Sequence, residues 1–179
     1  EMTLLKKLGG NLKQKLQNNE LTLGSWLTIN HQSVIEIMGT AGFDWLCIDI
    51  EHSAIAINDV VNLVGHIQGN DMQALVRVSE NNPVIIKQVM DSGVDGVIIP
   101  MVNSLNDAKK AVSSVRYPSF GKRGVGLSRA QNYGIGFEEY KQWLENDSVI
   151  IVQIEHYLAV EELESILNLS GVDGIIVGP

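Results

Sequence analysis

Cysteine is nearly absent from this chain of 179 residues, and basic side chains are scarce. The lone Cys47 excludes an internal disulfide, and its place in the apolar run Trp45-Leu46-Cys47-Ile48 reads as a small core residue in a reducing compartment. Against 21 Asp and Glu stand 13 Lys and Arg, for a net charge of −8. With no basic cluster to offset that balance, a nucleic-acid partner is not expected. No apolar stretch approaches the ~20 residues of a membrane helix, and the first residues mix lysine and asparagine with scattered leucine, unlike the apolar core of a signal peptide. The expectation is a soluble, cytoplasmic protein with no membrane partner. Its 45% hydrophobic and 19% charged content suits one globular domain over residues 1–179, with a flank over about residues 1–20.

Leu4, Leu5, Leu8, Leu12 and Leu16 recur at helical spacing in that flank, interrupted by Gly9 and Gly10. Leu23 to Ile29 reads as a first strand and His31 to Thr40 as a helix; His31 is left out of the site as a solvated loop histidine. The run Trp45 to Ile48 is continuous enough for a strand covered on both faces. Asn58 is the expected N-cap of a helix reaching about Gln68, and Ala74 to Val78 is the next strand. Asn82-Pro83 opens a helix as N-cap and first residue, ending near Asp91-Ser92-Gly93. Asp91 opposes the helix dipole there, which predicts a cationic partner elsewhere. Val97 to Pro100 is a short strand, and Ser104 with Asp107 starts a helix through a capping box. The sequence Gly121-Lys122-Arg123-Gly124-Val125-Gly126 matches neither a Walker loop nor a dinucleotide fingerprint and reads as a flexible basic loop that could meet an anionic substrate. Phe137 to Glu145 is helical, Val149 to Ile154 a strand, Leu158 to Leu167 a helix, and Gly171 to Pro179 a last strand with its exit.

Gly42-Phe43-Asp44, Gly93-Val94-Asp95 and Gly171-Val172-Asp173 each end a helix and launch an apolar strand, the punctuation of repeated βα units. About six or seven strands are legible, fewer than an eight-unit barrel of ~250 residues contains. A chain ending on a strand exit would leave an open sheet edge, so the expectation is the front part of a longer protein.

In parallel α/β folds ligands bind at the C-terminal strand ends. Asp49, Glu51, His52, Arg77 and Glu155 fall at such exits, with Gln153 on the strand face of Glu155. An aspartate-held His52 suits a general base, with Asp49 as the nearest group to orient its ring. Taken alone, the same Asp-x-Glu-His also suits a solvated strand end, Arg77 a structural ion pair, and Glu155 a surface carboxylate. Together they suit deprotonation next to a carbonyl, with a divalent ion polarising the oxygen and arginine stabilising the enolate.

These residues resemble the HpcH/HpaI aldolases over about Leu23 to Pro179. The resemblance rests on Gly42-Phe43-Asp44-Trp45 leading to Asp49-Ile50-Glu51-His52, on Val76-Arg77-Val78, Met90-Asp91-Ser92-Gly93, Arg116-Tyr117-Pro118, Gly121-Lys122-Arg123-Gly124 and Gln153-Ile154-Glu155. It implies an α/β fold, a TIM (β/α)8 barrel of the phosphoenolpyruvate/pyruvate type whose C-terminal part is missing from this sequence. It also implies a class II aldolase that cleaves a 4-hydroxy-2-oxo acid to pyruvate and an aldehyde with a divalent metal ion (Mg, Mn or Co). His52 then corresponds to the catalytic base, and Arg77 to the group that binds the pyruvyl oxygen. Asp91 matches the acid that raises the basicity of the histidine, Gln153 a substrate contact, and Glu155 one of two metal-binding carboxylates. The second lies two residues beyond the Gly-Pro pair and so past Pro179. A homo-oligomer, trimeric or hexameric, is implied as well.

Two alternatives remain open: an acyl-CoA lyase, which a larger basic surface would favour, and a barrel that only binds an oxoacid. An open α/β module of 179 residues is a third possible arrangement. His52→Ala is expected to abolish proton exchange at the pyruvate methyl group while sparing the fold. Full activity in that variant, measured by deuterium incorporation, would remove His52 as the base.

Overall fold

The structure is a computed structural model that describes residues 12–178. Leu4, Leu5, Leu8 and the Gly9-Gly10 interruption lie outside the described residues, as does Pro179. Within them the elements run α1 (Leu12–Gln17), β1 (Gly24–Leu27), α2 (Gln32–Gly39), β2 (Trp45–Asp49), α3 (Ile57–Gly69), β3 (Gln73–Arg77), α4 (Pro83–Asp91), β4 (Gly96–Ile99) and α5 (Leu105–Val115). A 3-10 segment (Arg129–Gly134), α6 (Phe137–Asn146), β5 (Val149–Ile154), α7 (Tyr157–Glu161), α8 (Leu163–Leu167) and β6 (Gly174–Val177) follow. All six strands are parallel and neighbours in chain order, β1 to β6. This is a curled part of a barrel, in keeping with the βα expectation.

Alternation along the strands sorts side chains into two layers. Leu46, Ile48, Ala74, Val76, Val97, Ile99, Ile150 and Val152 face the helices and belong to the main core. Cys47, Leu75, Ile98, Val149 and Ile151 face the other way and form a smaller core, closed from below by Leu12 of α1. Cys47 is fully buried, and that burial pushes its thiol pKa up, as suits a packing residue. Lys13 of the same helix reaches the Ser148 carbonyl at 3.1 Å and the Asp173 carboxylate at 3.0 Å, while Lys15 pairs with Asp44. No described helix is long and apolar enough to cross a membrane.

The repeated Gly-x-Asp signal has a structural explanation. Each glycine adopts a positive φ, +79° at Gly42, +85° at Gly93 and +101° at Gly171, which turns the chain out of its helix. The aspartate then hydrogen-bonds the start of the preceding strand. Asp44 Oδ2 accepts the Leu23 N–H at 2.7 Å, Asp95 Oδ2 that of Ala74 at 2.7 Å, and Asp173 Oδ2 that of Ile150 at 2.8 Å. The backbone closes each pair reciprocally, as Asp95 N–H donates to the Ala74 carbonyl. Each motif therefore sets where two neighbouring strands begin.

Most caps follow the sequence. Asn82 Oδ1 accepts the Val84 N–H at 2.8 Å, and Ser104 Oγ that of Asp107 at 3.1 Å. His31 caps α2, its Nδ1 accepting from Ser33 N–H. Asn58 is a correction: it lies in the first turn of α3, whose cap position is Ala56, and the Asp59 carboxylate accepts the Ala56 N–H instead. The helix expected over Leu158–Leu167 is broken into α7 and α8 at Glu162.

Asp95→Ala is expected to cost about 3 kcal/mol, because it leaves the buried Ala74 N–H without its charged acceptor. The half-exposed Asp44→Ala should cost about half as much. Urea unfolding of both variants checks the order.

Candidate functional site at the strand exits

Residues 45, 47 and 49 of β2 and 73, 75 and 77 of β3 alternate onto the inner face, and Asp49 and Arg77 are register partners at its upper edge. Their side chains meet in a two-point pair. Arg77 Nε donates to Asp49 Oδ1 at 3.0 Å and Nη2 to Oδ2 at 2.6 Å. The Arg77 guanidinium lies over the Trp26 ring of β1, 4.4 Å from its centroid. Glu51 approaches the same cation, its Oε2 3.3 Å from Nε. Among the described residues no hydrogen-bond acceptor meets Arg77 Nη1.

Asp49 also fixes the loop after β2. Its Oδ1 accepts the backbone N–H groups of Glu51 and His52, each at 3.1 Å, and Ser53 Oγ donates to its carbonyl. The expected hold of Asp49 on the imidazole is therefore corrected: Asp49 grips the His52 backbone, because Arg77 already occupies its carboxylate edge. The imidazole Nε2 instead stands 3.7 Å from Glu51 Oε2, with the His52 side chain 67% exposed.

The three charges at this edge are unequal in character. Burial alone would raise the Asp49 pKa, but the Arg77 hydrogen bond and the two backbone donors outweigh it and hold the carboxyl below its ordinary value. Burial also opposes the charge of Arg77, and Asp49 reverses that, raising its pKa. For Glu51 burial wins over the attraction of Arg77 and His52, and its pKa is raised, with Glu155 adding repulsion from across the edge. Glu51 was not given a role by resemblance, yet it links Arg77 to the imidazole.

On β5, Gln153 is buried and Glu155 stands just past the strand. Glu155 Oε1 accepts the Met101 N–H and Oε2 the Gln153 Nε2–H, both at 2.7 Å. Met101 holds that N–H in place with a φ of +52°, a conformation uncommon outside glycine. A Cβ on Gly178 would stand 3.0 Å from Gln153 Nε2 and 3.4 Å from Glu155 Oε2, so the β6 exit closes on this pair with no room to spare.

As a site for a hard divalent ion, the donors fit in type. Glu155 supplies a carboxylate, and among the described residues the buried Gln153 Oε1 and Glu51 Oε2 have no hydrogen-bond donor. They do not complete a shell: among the described residues no three His, Cys, Asp or Glu side chains gather around one point.

Asp91 is not brought to this edge. It is the last residue of α4, and its Oδ1 pairs with Arg123 Nη2 at 3.0 Å. This is the cationic partner that its unfavourable helix-end position predicts, and within this chain it replaces contact with His52. Arg123 is 2% exposed, donates also to the Tyr117 and Tyr140 hydroxyls, and stacks on Tyr117. The expectation of a flexible basic loop over Gly121–Gly126 is thus corrected at Arg123, a buried anchor. Trp26 is a site residue that the sequence reading missed. Period-two alternation with Leu27 was the available signal.

Residues 22–179 match the sequence profile of the HpcH/HpaI aldolase/citrate lyase family. The 2-keto-3-deoxy-L-rhamnonate aldolase of Escherichia coli (strain K12) is 36% identical over 174 residues, 96% of this chain. This chain spans 65% of the length of that relative. A solved HpcH/HpaI aldolase/citrate lyase family protein from Burkholderia cenocepacia J2315 superposes with a TM-score of 0.87 at 34% identity, covering 94% of this chain and 68% of that one. The HpcH/HpaI aldolase from Desulfitobacterium hafniense DCB-2 gives 0.84 at 31% identity, with 94% and 66% covered.

Asp49→Asn is expected to lower the unfolding free energy at pH 7 by about 3 kcal/mol, since it leaves a largely buried arginine without its hydrogen-bonded anion and with Glu51 alone nearby. Because the folded pKa of Asp49 is depressed, its contribution is fully present above the ordinary carboxylate value of about 4 and is lost as pH falls through the lower folded value. Wild type and variant should converge in acid; a gap independent of pH would contradict the assignment.

Proposed function

The chain belongs to the HpcH/HpaI aldolase/citrate lyase family, and on that premise we propose that the whole protein is a metal-dependent class II aldolase. Its reaction is the reversible cleavage of a 4-hydroxy-2-oxo acid to pyruvate and an aldehyde. The 2-keto-3-deoxy sugar acid in the name of the E. coli relative carries this pattern of groups. The observation that supports the reading best is the Arg77 fork, pinned by Asp49 on one side and open at Nη1 on the other.

In this reading Arg77 donates to the 2-oxo oxygen, where negative charge grows as the C3–C4 bond breaks. A fixed guanidinium does this without reorganising during the reaction. His52 takes the proton of the C4 hydroxyl, the aldehyde leaves, and the bond electrons pass into the enolate of pyruvate. Return of a proton to C3 completes pyruvate. Glu51, near both Arg77 and the imidazole, stabilises the imidazolium while it lasts. Gln153 contacts the oxoacid. A magnesium, manganese or cobalt ion, held through Glu155 and completed by further oxygens, would supply Lewis acidity at the substrate oxygens. A barrel of the phosphoenolpyruvate/pyruvate type, cytoplasmic location and homo-oligomeric assembly are part of the same proposal.

The test is deuterium exchange into the pyruvate methyl group, followed by proton NMR in heavy water with the full-length protein. Exchange is expected with added divalent metal, is suppressed by chelator, and falls about 100-fold or more in Arg77→Lys. Absence of exchange from a folded, metal-supplemented protein would overturn the reading.

A further inference from the structure

A groove of about 460 Å³ runs between α4 and α5 on the helix layer, apart from the strand exits. Lys87 from α4, Lys109 and Lys110 from α5, and Lys122 from the following loop all line it, and among the described residues no Asp or Glu does. In a chain with only 13 Lys and Arg, this concentration in one concavity needs a cause. Helix solvation is the usual cause of surface lysines, but such lysines commonly alternate or pair with carboxylates. Among the described residues none of these four makes an ion pair. Arg123 forms part of the wall, 2% exposed, and its Nε is a buried donor with no acceptor among the described residues. Asp91 is its carboxylate partner, on Nη2.

We propose that this groove binds a small polyanion carrying two or three contiguous phosphates. Four lysines line one concavity, and a compact ligand of three or four negative charges offsets that concentration of positive charge more fully than scattered monovalent ions. Lysine meets phosphate as a point charge, without the planar matching that arginine gives a carboxylate. The volume is that of a small-molecule site. A nucleic acid would need basic surface beyond the groove, which a net charge of −8 does not provide. Ser113, also on the wall, adds a hydroxyl donor.

Isothermal titration of the full-length protein with inorganic tripolyphosphate tests the site. The expected result is one site per chain, weakened about tenfold or more between low and physiological salt, as for exposed charges. The double variant Lys87→Gln/Lys110→Gln should weaken binding at least tenfold, while Lys141→Gln, on α6 and outside the groove, leaves it unchanged. If that double variant folds poorly by circular dichroism, Lys109→Gln/Lys122→Gln gives the same readout. Absence of saturable binding, equal binding by the groove variants, or displacement by excess pyruvate would overturn the proposal; displacement would move the anion to Arg77.

Discussion

Parallel strands are only as useful as their register, because a slip of one residue turns every side chain to the opposite face. Here register is set at the strand entrances by carboxylates. The carbonyl of Asp44 accepts the N–H of Gln73, and the Asp95 side chain accepts that of Ala74, so β3 is held at its start from both flanking strands. Four residues on from Trp45, and four on from Gln73, Asp49 and Arg77 then face each other. The strand-exit pair is thus specified at the opposite edge of the sheet.

At the exits, charge is distributed so that one carboxylate does structural work and another is held in reserve. Asp49 is used up by Arg77 and two loop N–H groups, while Glu51 sits near both Arg77 and His52 at less favourable geometry and with a raised pKa. Trp26 completes the arrangement from β1, covering one face of the guanidinium. Among the described residues Nη1 is the nitrogen of that fork with no acceptor.

Local chemistry in the sequence carried much of this. Apolar runs ending in charge located the exits, and Asn82-Pro83 and Ser104 gave helix starts to the residue. What depended on partners distant in sequence was less legible. Nothing near Asp91 names Arg123, 32 positions on, and nothing in a glycine-flanked Lys-Arg pair says that one member turns inward among tyrosines. Asp49 and His52 are three residues apart, which made a ring contact plausible; the bond formed to the backbone because the carboxylate edge was already taken from β3. At Asn58 a good capping residue lost to the Asp59 carboxylate one position later.

The small helix α1 closes the floor of the inner layer through contacts with residues far along the sequence. Lys13 meets the carbonyl of Ser148, 135 positions away, and the carboxylate of Asp173. During synthesis from the N-terminus these partners do not yet exist when α1 leaves the ribosome. The apolar underside of the early strands must therefore wait, uncovered, until β5 and the turn before β6 have emerged. Until then the nascent chain carries an exposed hydrophobic surface, and that interval is when a chaperone has something to hold.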